Sequence, residues 1–186
     1  MRPKWNHENI NQQWTLFLDR DGVINQKLAG DYVKDIAEFR FIEGSEEAIR
    51  RLNALFGITV VVTNQQGIGK GLMSEDDLSA VHQYMLQELD TLGATIDKVY
   101  HCPELAEKKS NCRKPNTGMA EEARKDFPAI DFKSAVMVGD SISDMQMGKR
   151  VGMITVYIHP DEELPKEADY VCKSLAEFAK VMEDVH

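Results

Sequence analysis

The sequence is poor in the features that mark secreted, membrane-bound or polyanion-binding chains. Its 186 residues hold only three cysteines, Cys102, Cys112 and Cys172, at irregular spacing. An odd, scattered set is no disulfide framework and fits a reducing compartment. The most apolar stretch, Ile58 to Val62, is strand-length, far short of the ~20 residues a spanning helix needs. Residues 1–14 carry two tryptophans but lack the apolar stretch of a signal peptide. A cytoplasmic chain is therefore expected, with an N-terminal arm over 1–14 that Trp5 and Trp14 pin to the body. Basic charge is also scarce. Lys plus Arg total 22 against 31 Asp plus Glu, a net charge of −9, which disfavours nucleic acid and anionic membranes as partners.

What is present alternates strand and helix. Thr15–Leu18 reads as a buried strand, and Gly44-Ser45 opens a helix with Glu46 and Glu47 in its first turn. Ala48, Ile49, Leu52, Leu55 and Phe56 recur at helical spacing up to a stop at Gly57. Ile58–Thr63 is β-branched without polar alternation, as in a parallel strand covered on both faces. Ser74 to Asp77 has capping-box spacing and opens a helix with Leu78, Val81, Met85, Leu89 and Leu92 on one face. Further strands are predicted at Ile96–Tyr100, Ala135–Val138, Ile154–Ile158 and Tyr170–Cys172. Helices are predicted at Thr117–Phe127, Ser143–Arg150 and Leu175–Val185. The pattern implies one α/β domain over 15–186, a Rossmann-like, mainly parallel sheet with helices on both faces.

In such a sheet, ligands sit at the carboxyl ends of the strands. The first strand ends in Asp19-Arg20-Asp21-Gly22 and the second in Thr63-Asn64; Arg113-Lys114-Pro115 follows the third. The fourth ends in Gly139-Asp140, with Asp144 one helical turn on. Singly, each has a bland reading, Asp-x-Asp as a turn or Asp140 as a helix cap. Together they converge carboxylates, a lysine, an arginine and a threonine on one spot. Clustered carboxylates take a hard cation such as Mg²⁺, and the remaining groups suit phosphoryl transfer. Gly67-Ile68-Gly69-Lys70-Gly71 is no phosphate-binding P-loop. Asn64 stands where the first glycine is required, and Gly71 where Ser or Thr is required. A flexible substrate-side loop is expected there.

Phe17 to Asn25, Thr63-Asn64-Gln65, Arg113-Lys114-Pro115 and Val138 to Asp144 together resemble the four motifs of the haloacid dehalogenase (HAD) superfamily of phosphatases, over residues 15–144. Asp-Arg-Asp-Gly-Val-Ile-Asn, Thr-Asn-Gln-Gln-Gly-Ile-Gly-Lys-Gly and Arg-Lys-Pro before Gly118-Met119 are similar to the heptose bisphosphate phosphatase and histidinol-phosphatase branch. The resemblance implies that Asp19 is the nucleophile and forms an aspartyl-phosphate, and that Asp21 is the acid and base. The superfamily's dehalogenases lack this second acid, and its transport ATPases have threonine there. By the same resemblance Asp19, Asp21 through its carbonyl, and Asp140 hold Mg²⁺, with Asp144 behind them orienting Lys114 or a metal water. Thr63 and Lys114 bind the transferring phosphoryl group, and Arg20, Asn64, Arg113 and Lys114 bind substrate.

That branch carries a structural zinc loop, of which Cys102 and Cys112 match two ligands while Glu104 and Ser110 replace the others. Structural zinc takes four Cys or His ligands, so no zinc is expected. The 102–112 loop is then held by packing and its own hydrogen bonds. The spacings leave no room for an inserted cap domain, with twenty-two residues between Asp21 and Gly44. Specificity is expected from loops at 29–42, 65–71 and 103–113. The resemblance thus implies an Mg²⁺-dependent phosphatase acting on a small phosphorylated sugar, most specifically the 7-phosphate of a heptose 1,7-bisphosphate, and a monomer is expected. Histidinol phosphate is the enzymatic alternative. A polynucleotide 3′-phosphatase is disfavoured by charge, and a silent binding protein on the same fold by the presence of Asp19 and Lys114.

Overall fold

A computed structural model describes residues 10–161 and 164–184. Six parallel strands form one sheet in the order β3-β2-β1-β4-β5-β6. They are β1 (Thr15–Leu18), β2 (Ile58–Asn64), β3 (Lys98–Cys102), β4 (Ala135–Gly139), β5 (Ile154–Ile158) and β6 (Tyr170–Cys172). Among the described residues four α-helices connect strands, α1 (Ser45–Asn53), α2 (Glu75–Thr91), α3 (Gly118–Asp126) and α4 (Ile142–Val151), and α5 (Leu175–Glu183) follows β6.

The β-branched and apolar runs make sense in this position. Leu16, Leu18, Val61, Val136 and Val138 point to one face, where they pack with residues of α1, α2 and α5 such as Ile49, Met85 and Phe178. Phe17, Val60, Val62 and Met137 point to the other, against Met119, Ala120, Ala123 and Met147 of α3 and α4. Both faces are dry, so alternation is absent from the sequence. The cap signals also hold. Ser74 accepts from Asp77 N while Asp77 returns a bond to Ser74 N, closing the capping box of α2.

Some boundaries differ from the sequence reading. β3 starts two residues late because its register with β2 begins at Val60↔Lys98 and runs to Asn64↔Cys102. Leu92 is 49% exposed, since α2 has ended at Thr91. The expected arm is partly described: Ile10 is buried, Gln12 Nε2 donates to the carbonyls of Asn53 and Ala54, and Trp14 packs on the core. Trp5 and Val185 lie outside the described residues. Among the described residues no helix is long and apolar enough to cross a membrane.

β1 lies between β2 and β4. The chain runs outward from β1 to one side through β2 and β3, and to the other through β4, β5 and β6. The order therefore reverses between β1 and β4, where a parallel sheet opens a crevice at its carboxyl edge.

Candidate active site

Asp19 and Asp140 sit at that reversal, immediately beyond β1 and β4. Asp19 N still donates to Val138 O at 2.9 Å, so the ladder holds the residue in place. A cleft of about 220 Å³ opens above them, lined among others by Asp19, Asp21, Thr63, Asn64, Arg113, Lys114 and Asp140. Lys27, Leu28, Asp31, Tyr32 and Val33, from the irregular segment after β1, wall its outer side.

Lys114 is the buried hub. Its Nζ contacts Asp19 Oδ1 at 2.9 Å and Asp144 Oδ1 at 2.6 Å and donates to Val62 O at 2.7 Å. All three ammonium hydrogens are thus used. Burial works against the charge, but Asp144 and Asp19 outweigh it and hold the ammonium protonated above its ordinary range. Burial, with Asp144 and Asp140 beside it, pushes the Asp19 carboxyl up to about 7 even though Lys114 pulls it down. Asp19 Oδ1 accepts from Arg20 N and Lys114. Oδ2 has no hydrogen bond among the described residues.

Asp144 sits in the first turn of α4, where its Oδ2 accepts from Ser141 N and Ser141 Oγ. Ser141, not Asp140, is therefore the cap of α4, and Asp140 is left for another task. Its Oδ1 is buried without a partner, and its Oδ2 accepts from the exposed Lys27 at 2.7 Å. One oxygen from each of Asp19, Asp140 and Asp144 falls within 4.8 Å of the others. The donor set is all carboxylate, one oxygen has unfilled capacity, and the lining has four carboxylates against three cations. These residues fit a hard divalent cation: a phosphate dianion would otherwise meet a net negative wall. Gly22 makes the closeness possible, since a Cβ there would lie 2.2 Å from Asp140 Oδ2.

Asp21 is arranged differently. Its Oδ1 accepts from Arg20 Nη2 and Asn25 Nδ2, both at 2.9 Å. Its Oδ2 accepts from Arg20 Nη2 at 3.0 Å and Gln65 Nε2 at 2.8 Å. Burial opposes the charge, but Arg20, Asn25 and Gln65 prevail and hold the carboxyl below its usual range. A side chain so occupied leaves the Asp21 backbone carbonyl as what it can offer a cation.

Two expectations are corrected. Arg20, expected on substrate, is fully buried and lines no part of the cleft. Its chain folds beneath the site because Asp21 and His82 give the guanidinium acceptors there. Cys102 and Cys112, expected as the free remnant of a zinc site, are joined in a disulfide. The later end of β3, at Cys102, and the loop before Arg113 bring their Cα atoms to 5.5 Å, inside the range a disulfide needs. His101 is instead paired with Glu75, and Glu104 with Lys108. The 65–71 loop also lies off the cleft. It supports Tyr32, which takes a hydrogen bond from Gln66 and stacks under Lys70. Asn64 reaches the cleft, yet its amide holds the backbone of Lys114 from both sides.

Sequence reasoning missed Lys27, Asn25, Gln65 and His82. Asn25 and Gln65 lie within the motif strings and could have been picked out as polar residues beside apolar strand ends. Lys27 sits in an irregular segment with no periodicity to place it.

An acidic pair at a strand-order reversal, Asp19 and Asp140, with a buried lysine tying Asp19 to Asp144, defines a cation-assisted phosphoryl-transfer site. Relatives agree. A family profile described as HAD-hydrolase-like matches residues 111–178. D-glycero-beta-D-manno-heptose-1,7-bisphosphate 7-phosphatase of Pasteurella multocida is 38% identical over 90% of this chain and 95% of its own. The alpha-anomer 7-phosphatase of Mycobacterium bovis is 39% identical over 77% of this chain and 76% of its own. The crystal structure of D,D-heptose 1,7-bisphosphate phosphatase from B. bronchiseptica, complexed with magnesium and phosphate, superposes with a TM-score of 0.83 at 30% identity, covering 93% of this chain and 99% of that one. The chain therefore belongs to the HAD phosphatases, in the branch of the heptose 1,7-bisphosphate 7-phosphatases. It is a phosphoric monoester hydrolase.

Proposed function

We propose that this chain removes the 7-phosphate of D-glycero-D-manno-heptose 1,7-bisphosphate. Asp19 attacks phosphorus, the bond to the sugar oxygen breaks, and Asp21 gives that oxygen a proton. Asp21 then takes a proton from the water that attacks the aspartyl-phosphate, and inorganic phosphate leaves with Asp19 restored. Lys114 and Thr63 hold the transferring group against charge build-up on its oxygens. Asp19, Asp140 and the Asp21 carbonyl would hold Mg²⁺, which supplies positive charge that offsets nucleophile–phosphate repulsion. Asp144 fixes Lys114.

The observation that carries the substrate is a second cavity of about 450 Å³ beside the first. It shares Asn64, Arg113, Lys114 and Ser143 with the cleft and adds Lys109 and Ser110. A bisphosphate needs a second cationic pocket a sugar's length from the nucleophile; histidinol phosphate, with one phosphate and an ammonium group, does not. The test is a substrate panel with both heptose anomers, histidinol phosphate and a polynucleotide 3′-phosphate. The bisphosphate is expected to lead in kcat/KM; a lead for histidinol phosphate would overturn the substrate reading. Asp19→Asn is expected to abolish turnover with the melting temperature retained, and residual activity at wild-type level would overturn its role.

A further inference from the structure

In the wall of the cleft, the Asp21 carboxylate is held by three donor groups, from Arg20, Asn25 and Gln65. Two of those four bonds come from one nitrogen, Arg20 Nη2, so the position of that nitrogen helps to set where the carboxylate sits. What sets the guanidinium is the question. Arg20 is fully buried, its Nε has no partner, and Nη1 has a single one, His82 Nε2 at 3.1 Å. Arginine is a donor only, so His82 accepts through Nε2. His82 projects from the buried face of α2, among Leu78, Val81 and Met85, and lines no part of the cleft. The only polar group on that apolar face thus meets the only buried arginine among the described residues.

We propose that His82 is a positioning residue for the acid–base step, acting through Arg20 to fix the Asp21 carboxyl group in the orientation from which it serves the leaving oxygen. The inference rests on the acid–base reading of Asp21 given above. Take away the His82 acceptor and the Nη1 side of the fork has no anchor in a dry setting. The guanidinium then turns about its remaining contacts, and Asp21 loses its paired geometry. Substrate binding, which uses other residues, is untouched.

The test compares two esters. Departure of a sugar alkoxide needs a proton, whereas para-nitrophenolate leaves without one, and kcat/KM reports the step that forms the phosphoenzyme. His82→Leu is expected to lower kcat/KM on heptose 1,7-bisphosphate about tenfold or more, through kcat rather than KM, and to leave para-nitrophenyl phosphate within about twofold. His82→Gln, which places an acceptor near the Nε2 position, is expected to restore most of the loss. His82→Asn, whose acceptor is too short, is not, and this pair decides the matter if the leucine variant does not fold. Equal losses on the two esters, or equal behaviour of Gln and Asn, would overturn the proposal. Asp21→Asn run alongside separates it from its premise. If that variant shows the leaving-group-dependent loss and the His82 variants do not, only the positioning role fails; if Asp21→Asn spares the sugar ester, both fail.

Discussion

Replacing Lys114 with methionine tests the centre of the site. The change keeps an unbranched stem of similar shape and removes one buried ammonium. Asp19 and Asp144 then face each other with no cation between them, and Val62 O loses its donor. Removing one partner of a buried ion pair costs about 3–5 kcal/mol, because the other charge is left uncompensated. For a chain of this size each kcal/mol moves Tm by about 2–4 °C, so a fall of about 6–20 °C is expected without magnesium. The deficit has a pH signature. Asp19 already titrates near pH 7 with Lys114 present; without it the carboxyl rises further. A carboxyl raised in the fold holds protons that the unfolded chain gives up, so its stabilising effect shrinks as pH climbs towards the folded value. The gap between variant and wild type therefore widens above pH 7, by at most about 1.4 kcal/mol per pH unit. The control is Lys27→Met. That lysine also bonds a site carboxylate, Asp140, but is exposed, so its pair is worth less than about 1 kcal/mol. Thermal melts of both variants in chelator, from pH 6 to 9, settle the matter. A Tm loss for Lys114→Met no larger than for Lys27→Met, or one independent of pH, would refute the reasoning. Activity is expected to fall at least about 100-fold, in line with the loss of an aimed charge in a dry site.

Three further outcomes are expected. Gly22→Ala puts a Cβ into Asp140 at a φ of +90°, and is expected to raise the magnesium needed for half-maximal activity about 10–100-fold, read from a metal titration. Opening the Cys102–Cys112 bond with a dithiol is expected to cost about 2–3 kcal/mol for a loop of this length; denaturant melts with and without reductant read it, and superimposable curves would count against it. Burial, with Arg20 and His101 nearby, lowers the His82 pKa to about 3, so it stays neutral in the fold while the unfolded chain protonates near 6.5. Its contribution is present above pH 6.5 and lost as pH falls, roughly 2 kcal/mol by pH 5. His82→Gln should show a correspondingly flatter acid limb than wild type.

The strands that build the site were readable because a sheet covered on both faces leaves unbroken apolar runs, each ending in a polar residue. Asp19, Thr63 and Asp140 stand one step beyond or at the end of such runs, and their convergence followed from parallel order alone. The direction of a side chain past the strand end was not readable. Arg20 lies between two carboxylates in sequence and looked bound for the anionic substrate. It turns under the site because the acceptor that draws it, His82, is sixty-two residues away on α2. The cysteine pair failed for a related reason. The family resemblance suggests half a zinc site, but the register of β3 on β2, which decides how near Cys112 comes to Cys102, is a tertiary property. Lys27 lies where no periodicity operates.

The two walls of the cleft differ in how they are held. Thr63 belongs to β2, and Asp19 and Asp140 follow directly on β1 and β4, the three adjacent strands at the heart of the sheet. Leu28, Asp31, Tyr32 and Val33 belong to a segment with no strand or helix of its own. Evolution can therefore rewrite the outer wall, and with it the preferred sugar, without disturbing a single rung of the ladder that aligns the reacting groups. A lineage built on this frame can change its diet while its chemistry stands still.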